Sequence, residues 1–430
     1  MNLRRSSAFN ALFKNTTLAL FDQALLSATN FLINVLLIRN VPAEEYGLFV
    51  LLNAALFLAI GLQNAIITTP LSVLAPKMRE SEKALFIHSL AIMQYYIWLP
   101  ATFLVVAIAT LADFLALFHL PVLVIVATAV AILLSFVREY MRRVFFVFML
   151  TGYVLAVDVI YAASLLMMLA LISILPSAQA AGALLSIGIA GALAGVFAIW
   201  LYSRWSPHGE RLKTSLHYLV DAWKHGRWAL MGVIVTWLGT QGFYYLLSGM
   251  KGRGDVADIA ASQKLLMPIS IMVVATLSIL KPKGASLLAE GKQNVLVRLT
   301  TLFSAGSVAI AVVYTGAVYL AAETISLFVF KKNISGLQEL VLLWGAVLLA
   351  QIIRSNMSNL LQIFEKFAAL FYIGALATAA TIGTAFYGIR FFDAKGSLIG
   401  LLTGEIVYII AMGVFFIKRD ISSAREQGRR

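Results

Sequence analysis

Residues 18–48 read LALFDQALLSATNFLINVLLIRNVPAEEYGL, and the fold turns on them. Residues 17–38 are long enough to cross a bilayer, because about 20 apolar residues rising about 1.5 Å each span its hydrocarbon. Yet the segment carries Asp22, Gln23, Asn30 and Asn34, which a plain anchor would lack. At about 100° per residue, Gln23, Ser27, Asn30 and Asn34 fall on one stripe. Asp22 and Thr29 lie together about a quarter turn away. Leu18, Leu25, Leu32 and Leu36 take the far side. Two roles compete for the amides. They either tie the helix to its neighbours, as polar side chains do in membrane bundles, or line a wet pathway. The cost of polar groups in lipid favours the pathway.

Composition extends this reading to the whole chain. Its 430 residues are 61% hydrophobic and 12% charged, which excludes a soluble domain and predicts an all-α polytopic membrane protein. There is no cysteine, so disulfides and thiolate metal sites are excluded. Residues 1–15 are polar and basic without an A-x-A-like site, so the first helix reads as retained rather than as a signal peptide. The net charge of +13 points to basic cytoplasmic loops, not to a nucleic-acid partner.

The apolar pattern predicts spans over residues 17–38, 46–69, 84–111, 120–138, 151–175, 181–203, 228–249, 255–280, 299–321, 337–357, 366–389 and 397–417. With the N-terminus in the cytoplasm, most of the 33 Lys and Arg fall on the inner side. The outer loops then hold only Arg39, Lys251, Arg253, Lys331, Lys332, Arg390 and Lys395. The bias puts both termini inside. The chain divides into a six-helix lobe (1–203), a cytoplasmic linker (204–227) and a second six-helix lobe (228–430). In the linker, Leu212, Leu216, Leu219, Val220 and Trp223 share one helical face, which predicts an amphipathic helix flat on the leaflet.

The halves resemble each other. VREYMRRVFFVF (137–148) aligns without gaps to IRSNMSNLLQIF (353–364), pairing Arg138 with Arg354, Met141 with Met357 and Phe148 with Phe364. APKMRESEK (75–83) and KPKGASLLAEGK (281–292) follow the second and eighth spans. Together they argue for duplication. Six spans per copy make the repeats parallel, with substrate expected between the halves near midplane.

Enzyme motifs are absent. His88, His119, His208, His217 and His225 lack metal spacing, and there is no Walker A or Rossmann glycine pattern. Neither catalysis nor a cofactor is expected. Four ionisable groups lie inside spans: Asp22, Asp158, Lys264 and Glu405. Each is a functional candidate by default. Asp22 reads as a proton-exchanging carboxyl or as an internal hydrogen-bond partner. Asp158 and Glu405, without acidic counterparts in the other half, read as structural. Lys264 needs an anion: a carboxylate such as Asp258 or Glu405, or a ligand's phosphate. Snorkelling to the interface is its simpler role. Pro268 is expected to kink that helix. Asn53 and Asn64 share a face of the second span, flanked by Gln63.

Asp22-Gln23, Asn30-Phe31, Arg39 and Pro42-Ala43-Glu44-Glu45-Tyr46-Gly47, together with RVFFVFMLTGYVLAVDVIYA (143–162), resemble polysaccharide flippases of the multidrug/oligosaccharidyl-lipid/polysaccharide (MOP) superfamily, the branch that includes O-antigen flippases. The resemblance implies two six-helix lobes, alternating access, and export of a polyprenyl-pyrophosphate-linked glycan across the bacterial inner membrane. It places Gln23, Asn30, Asn34, Asn53, Gln63, Asn64, Gln241 and Lys264 on substrate-binding helices. It makes Asp22 the candidate for coupling to H+ or Na+. Other glycan-assembly proteins are the implied partners. Lipid II flippases of the superfamily carry several cavity arginines, and a single lysine here counts against lipid II.

A drug or metabolite exporter of the same fold is the second functional reading, and aromatic and acidic cavity residues would favour it. The amides of the first span favour sugar instead. A membrane glycan polymerase or acyltransferase is the third. It would need a long outer loop or a buried His/Asp/Arg constellation, and neither is visible.

Overall fold

The computed structural model describes residues 2–114, 121–172, 179–205, 215, 217–332, 334, 336–364 and 366–427. Among them every regular element is helical. In chain order these are α1 (Asn2–Asn40), α2 (Ala43–Lys77), α3 (Glu80–Phe114), α4 (Val122–Val147), α5 (Thr151–Ile172) and α6 (Gln179–Trp205). There follow α7 (His217–Met250), α8 (Arg253–Leu265), α9 (Met267–Ala289), α10 (Gln293–Phe330), α11 (Leu337–Ile363) and α12 (Phe367–Gln427). Among the described residues ten of these stretches are long and apolar enough to cross a membrane, and the bent pair α8–α9 makes an eleventh. Helix α12 is one of the ten, yet non-helical angles at Phe392 and Asp393 break it into two arms. With its arms counted separately, the twelve expected crossings are all present. The chain is a multi-pass membrane protein.

Two helices depart from regular geometry at prolines. Pro70 has no N–H to give back to the helix, and α2 answers with a π turn over Asn64–Thr68, where the Thr69 amide reaches back to the Asn64 carbonyl. Pro268 acts likewise in the eighth span, where α8 and α9 meet at 56° around Leu266.

The chain forms two compact units, residues 1–234 and 235–430. In the first, α4 and α6 pack backbone to backbone. A Cβ at Gly188 would lie 2.6 Å from the Ala131 Cα, and one at Gly191 would lie 3.2 Å from the Ser135 Cα. Ile67, Leu71, Phe86, Leu90, Val144 and Phe145 fill its core, and the buried Tyr140 hydroxyl donates to the Ile87 carbonyl at 2.5 Å. In the second unit the arms of α12 close as tightly, with Gly396 against Gly388, Gly400 against Ala385 and Gly404 against Thr381. Asp393, at φ 53°, turns the chain between them, and its carboxylate pairs with Lys251. Lys395 pairs with Glu339.

The internal alignment holds at atomic detail. Helix α4 ends at Val147 with Phe148 as its cap, and α11 ends at Ile363 with Phe364 as its cap. The same tie follows each: Leu150 N–H to the Phe145 carbonyl and Lys366 N–H to the Leu361 carbonyl, both at 2.9 Å. The next helices start at Thr151 and Phe367, again 216 residues apart.

Three expectations need correction. Lys281 and Lys283 lie inside α9, not in a loop, so KPKGASLLAEGK is no structural match to the turn at Ala75–Lys77. The fourth span does not stop at residue 138 but runs to Val147. The linker ends at His217, because 217–250 is one continuous helix. Its Tyr218 packs edge-on against Phe86, Ala222 is buried, and a Cβ at Gly226 would meet the Ala65 carbonyl in the π turn at 2.6 Å. This stretch is therefore docked on the first unit rather than lying apart, while Val220 and Trp223 face outward. Leu212 and Leu216 lie outside the described residues.

Candidate functional site

The longer α4 carries Arg138 and Arg142 inside the first unit, one turn apart on one face. Both point at Asp158 on α5. Arg138 gives Nε and Nη2 to Asp158 Oδ1 at 3.0 and 2.6 Å, and Arg142 gives Nε to Asp158 Oδ2 at 2.7 Å. Arg142 then reaches α1, donating Nη2 to Asp22 Oδ2 at 3.0 Å. Glu139 accepts from Arg138 Nη1 at 2.8 Å. The Arg138 guanidinium also stacks over Tyr161, 3.7 Å from the ring centroid. Three carboxylates thus face two guanidinium groups, with Asp158 fully buried. Within the cluster, Asp22 Oδ1 is buried and without a hydrogen-bond partner. A buried acceptor left open offers a place for a proton or a small cation.

A second cluster forms in the other unit around the counterpart arginine. Arg354 Nε lies 2.5 Å from Glu405 Oε2, and its guanidinium sits 5.4 Å from the Tyr408 ring. The two atoms touch as an ion pair but are not aligned as a hydrogen bond. The position matching Asp158 is Gly374, and Tyr408 fills the space in front of it.

Lys264 lies in the last turn of α8, just before the helix break. There it faces the negative end of the helix dipole. Pro268 cannot donate to the Lys264 carbonyl, and Ile269 N–H turns to Leu266. The freed Leu265 carbonyl accepts from Tyr314 OH at 3.0 Å. In this unit Lys251 pairs with Asp393, Lys292 with Glu290, Arg354 with Glu405 and Lys395 with Glu339, and among the described residues no ion pair includes Lys264. Glu405, one of its expected partners, belongs to Arg354.

No family model matches the sequence, and no curated protein matches it significantly. Solved structures do match the fold. The lipid II flippase MurJ in an inward closed conformation aligns with a TM-score of 0.73 at 12% identity, over 94% of this chain and 87% of that one. An inward-facing multidrug resistance MATE transporter of the MOP superfamily aligns with a TM-score of 0.68 at 15% identity, over 94% and 96%. A MOP superfamily transporter from Pyrococcus furiosus, described by a reversed polarity of its binding pocket, aligns at 0.65 and 13%, over 95% of each chain. This chain has the MOP-superfamily transporter fold.

Within the MOP fold the predicted polar residues divide. Asn34 and Gln63 are buried ties. Asn34 accepts from Tyr46 OH at 2.9 Å and donates to the Asn30 carbonyl at 2.7 Å, joining α1 to α2. Gln63 donates to Gln94 Oε1 and to the Phe136 carbonyl at 2.9 and 3.0 Å, joining α2 to α3 and α4. Asn64 accepts from Thr68 inside the π turn at 2.6 Å, and Asn30 Oδ1 accepts from Asn34 at 3.1 Å. Gln23 is exposed, while Asn53, Gln241 and Lys264 are half-buried. Glu45 of the P-A-E-E-Y-G turn accepts from Ala180 N–H at 3.0 Å, capping α6. Sequence reasoning missed Arg142. Two arginines at i and i+4 mark a shared helical face, but that spacing carries no sign of its burial against Asp22 and Asp158.

Proposed function

We propose that this MOP-fold protein is a flippase. It moves a polyprenyl-pyrophosphate-linked oligosaccharide from the inner to the outer leaflet of a bacterial cytoplasmic membrane, with both termini in the cytoplasm. Lys264 is the observation that carries the reading. It is a cation inside a broken span, with no acid paired to it among the described residues. Broken helices at membrane depth mark ligand sites, and an ammonium there suits a diphosphate. Gln23, Asn53 and Gln241 are the amides left to meet sugar hydroxyls, with Asn30 and Asn64 beside the ties. Asp22, with its open oxygen, is the coupling residue for H+ or Na+. Other glycan-assembly proteins supply the lipid-linked substrate and consume it.

Export of cationic drugs is the second reading. The Asp22 carboxylate favours it, and the cationic Lys264 opposes it. The test uses purified protein in proteoliposomes with two substrates side by side, a fluorescent polyprenyl-pyrophosphate oligosaccharide and a lipophilic cation. Export of the glycan lipid alone supports the flippase. Export of the cation alone supports the alternative.

A further inference from the structure

Aromatic side chains from three helices pin α8. Trp344 Nε1 of α11 donates to the Ile259 carbonyl at 3.0 Å, and Tyr314 OH of α10 donates to the Leu265 carbonyl at 3.0 Å. Tyr244 of α7 reaches a side chain instead, donating its hydroxyl to Gln263 Oε1 at 3.2 Å. Around the helix break Ala260, Ala261, Ser262, Leu265 and Leu266 are buried, whereas Gln263 and its neighbour Lys264 keep part of their surface open. The Ser262 hydroxyl is taken by the Ile259 carbonyl at 2.9 Å. In the last turn of α8, Gln263 and Lys264 are therefore the polar side chains open to a ligand. The bond from Tyr244 also fixes what Gln263 can do. A glutamine amide has one acceptor oxygen and two N–H donors. With Oε1 held by the tyrosine, the amide nitrogen is the end left to meet a ligand, and it can only donate.

We propose that Gln263 is a second ligand of the lipid-linked headgroup, and that with Lys264 it makes the site prefer a diphosphate to a monophosphate. The inference rests on the flippase reading and adds a specificity-determining residue to it. A lone ammonium is a point charge and accepts either headgroup. Successive residues leave a helix about 100° apart with a rise of about 1.5 Å, so the two donor groups meet a ligand at separate points. One phosphate occupies one of those points. A diphosphate reaches both, with one phosphoryl group on the ammonium and the other on the Gln263 amide. Ionised phosphoryl oxygens accept hydrogen bonds and donate none, which matches an amide that offers donors alone. Tyr244 acts through Gln263 and is a positioning residue. Its bond holds the amide in one orientation before the ligand arrives, which lowers the cost of ordering that side chain.

The test measures binding of two probes to the full-length protein in nanodiscs, polyprenyl pyrophosphate and polyprenyl monophosphate of one chain length. The unmodified protein should bind the pyrophosphate about tenfold more tightly, the size of one charge-assisted hydrogen bond. Gln263→Met keeps the length of the side chain and removes its donors, so the preference should vanish. Tyr244→Phe should leave an intermediate preference. A ratio of two affinities is read on folded protein alone, so a merely structural loss does not move it. Gln263→Glu keeps an acceptor for Tyr244 but sets an anion beside Lys264, and both lipids should bind more than about tenfold weaker. Equal binding of the two lipids by the unmodified protein would overturn the role of Gln263. So would an unchanged preference in Gln263→Met, or unchanged binding in Gln263→Glu. In each of these cases weaker binding by Lys264→Gln leaves the flippase reading standing. No binding of either lipid to the unmodified protein would overturn both.

Discussion

Arg138 and Arg354 occupy the same position in the two repeats but take their carboxylates from different helices. Arg138 pairs with Asp158 on the helix that follows it, and Arg354 pairs with Glu405 on the second arm of α12. Each arginine then lies over a tyrosine three residues after its acid, Tyr161 and Tyr408. The arginine is the part the duplication kept, and the acid is the part that moved.

That relationship predicts a transplant. Glu405→Gln leaves Arg354 without its counter-charge. Breaking a fully buried pair costs about 3–5 kcal/mol, and the partial exposure of Arg354 lowers the expected loss to about 1–3 kcal/mol. A Cβ at Gly374 would meet Tyr408 at 3.7 Å, an ordinary contact, so the backbone accepts a side chain there and the Tyr408 ring must give way to its carboxylate. The double variant Gly374→Asp, Glu405→Gln should recover most of the lost thermal stability in detergent. A double variant no more stable than Glu405→Gln would show that the acid's place is not interchangeable.

Asn34 and Gln63 should behave as structural ties. Tyr46→Phe removes one buried hydrogen bond to Asn34 and leaves its Oδ1 unsatisfied, a loss of about 1–3 kcal/mol. Gln63→Leu leaves Gln94 Oε1 without its donor and takes the second donor from the Phe136 carbonyl, at similar cost. Melting temperature should fall in both, while transport per folded molecule stays near that of the unmodified protein. Loss of transport without loss of stability would return these residues to the substrate path.

Much of this was legible in the sequence because it follows from apolar length and repeat spacing. Twelve crossings, the kink at Pro268 and the match of Phe148 to Phe364 all rest on local pattern. The buried charge cluster was not legible. The arginine pair at 138 and 142 has the composition of a cytoplasmic loop, and positive charge near a span end ordinarily marks one. Its burial depends on Asp22, 120 residues away in the chain, and on Asp158. No local pattern reports such a contact. Asn34 illustrates the same limit, because stripe and tie have one periodicity and only the Tyr46 hydroxyl distinguishes them.

Asp22→Asn keeps the shape and most of the hydrogen bonding of the aspartate but removes its charge. Transport in proteoliposomes should lose its response to an imposed proton or sodium gradient, while Arg142 keeps a partner in Asp158 and the fold survives. Unchanged gradient dependence in Asp22→Asn would make Asp22 a structural tie only. Arg142→Gln should be the more damaging change, since it leaves both Asp22 Oδ2 and Asp158 Oδ2 short of a donor.

The most direct measurement is lipid-linked oligosaccharide flipping in proteoliposomes by the unmodified protein, Lys264→Arg and Lys264→Gln, each normalised to folded yield. A charge-assisted contact to phosphate contributes about 1.5–3 kcal/mol, so Lys264→Gln should weaken substrate binding about 10- to 100-fold and slow flipping accordingly. Lys264→Arg should keep part of the rate, because the charge remains while its geometry changes. Flipping by Lys264→Gln at the unmodified rate, with normal folded yield, would contradict the role of Lys264 as the partner of the pyrophosphate.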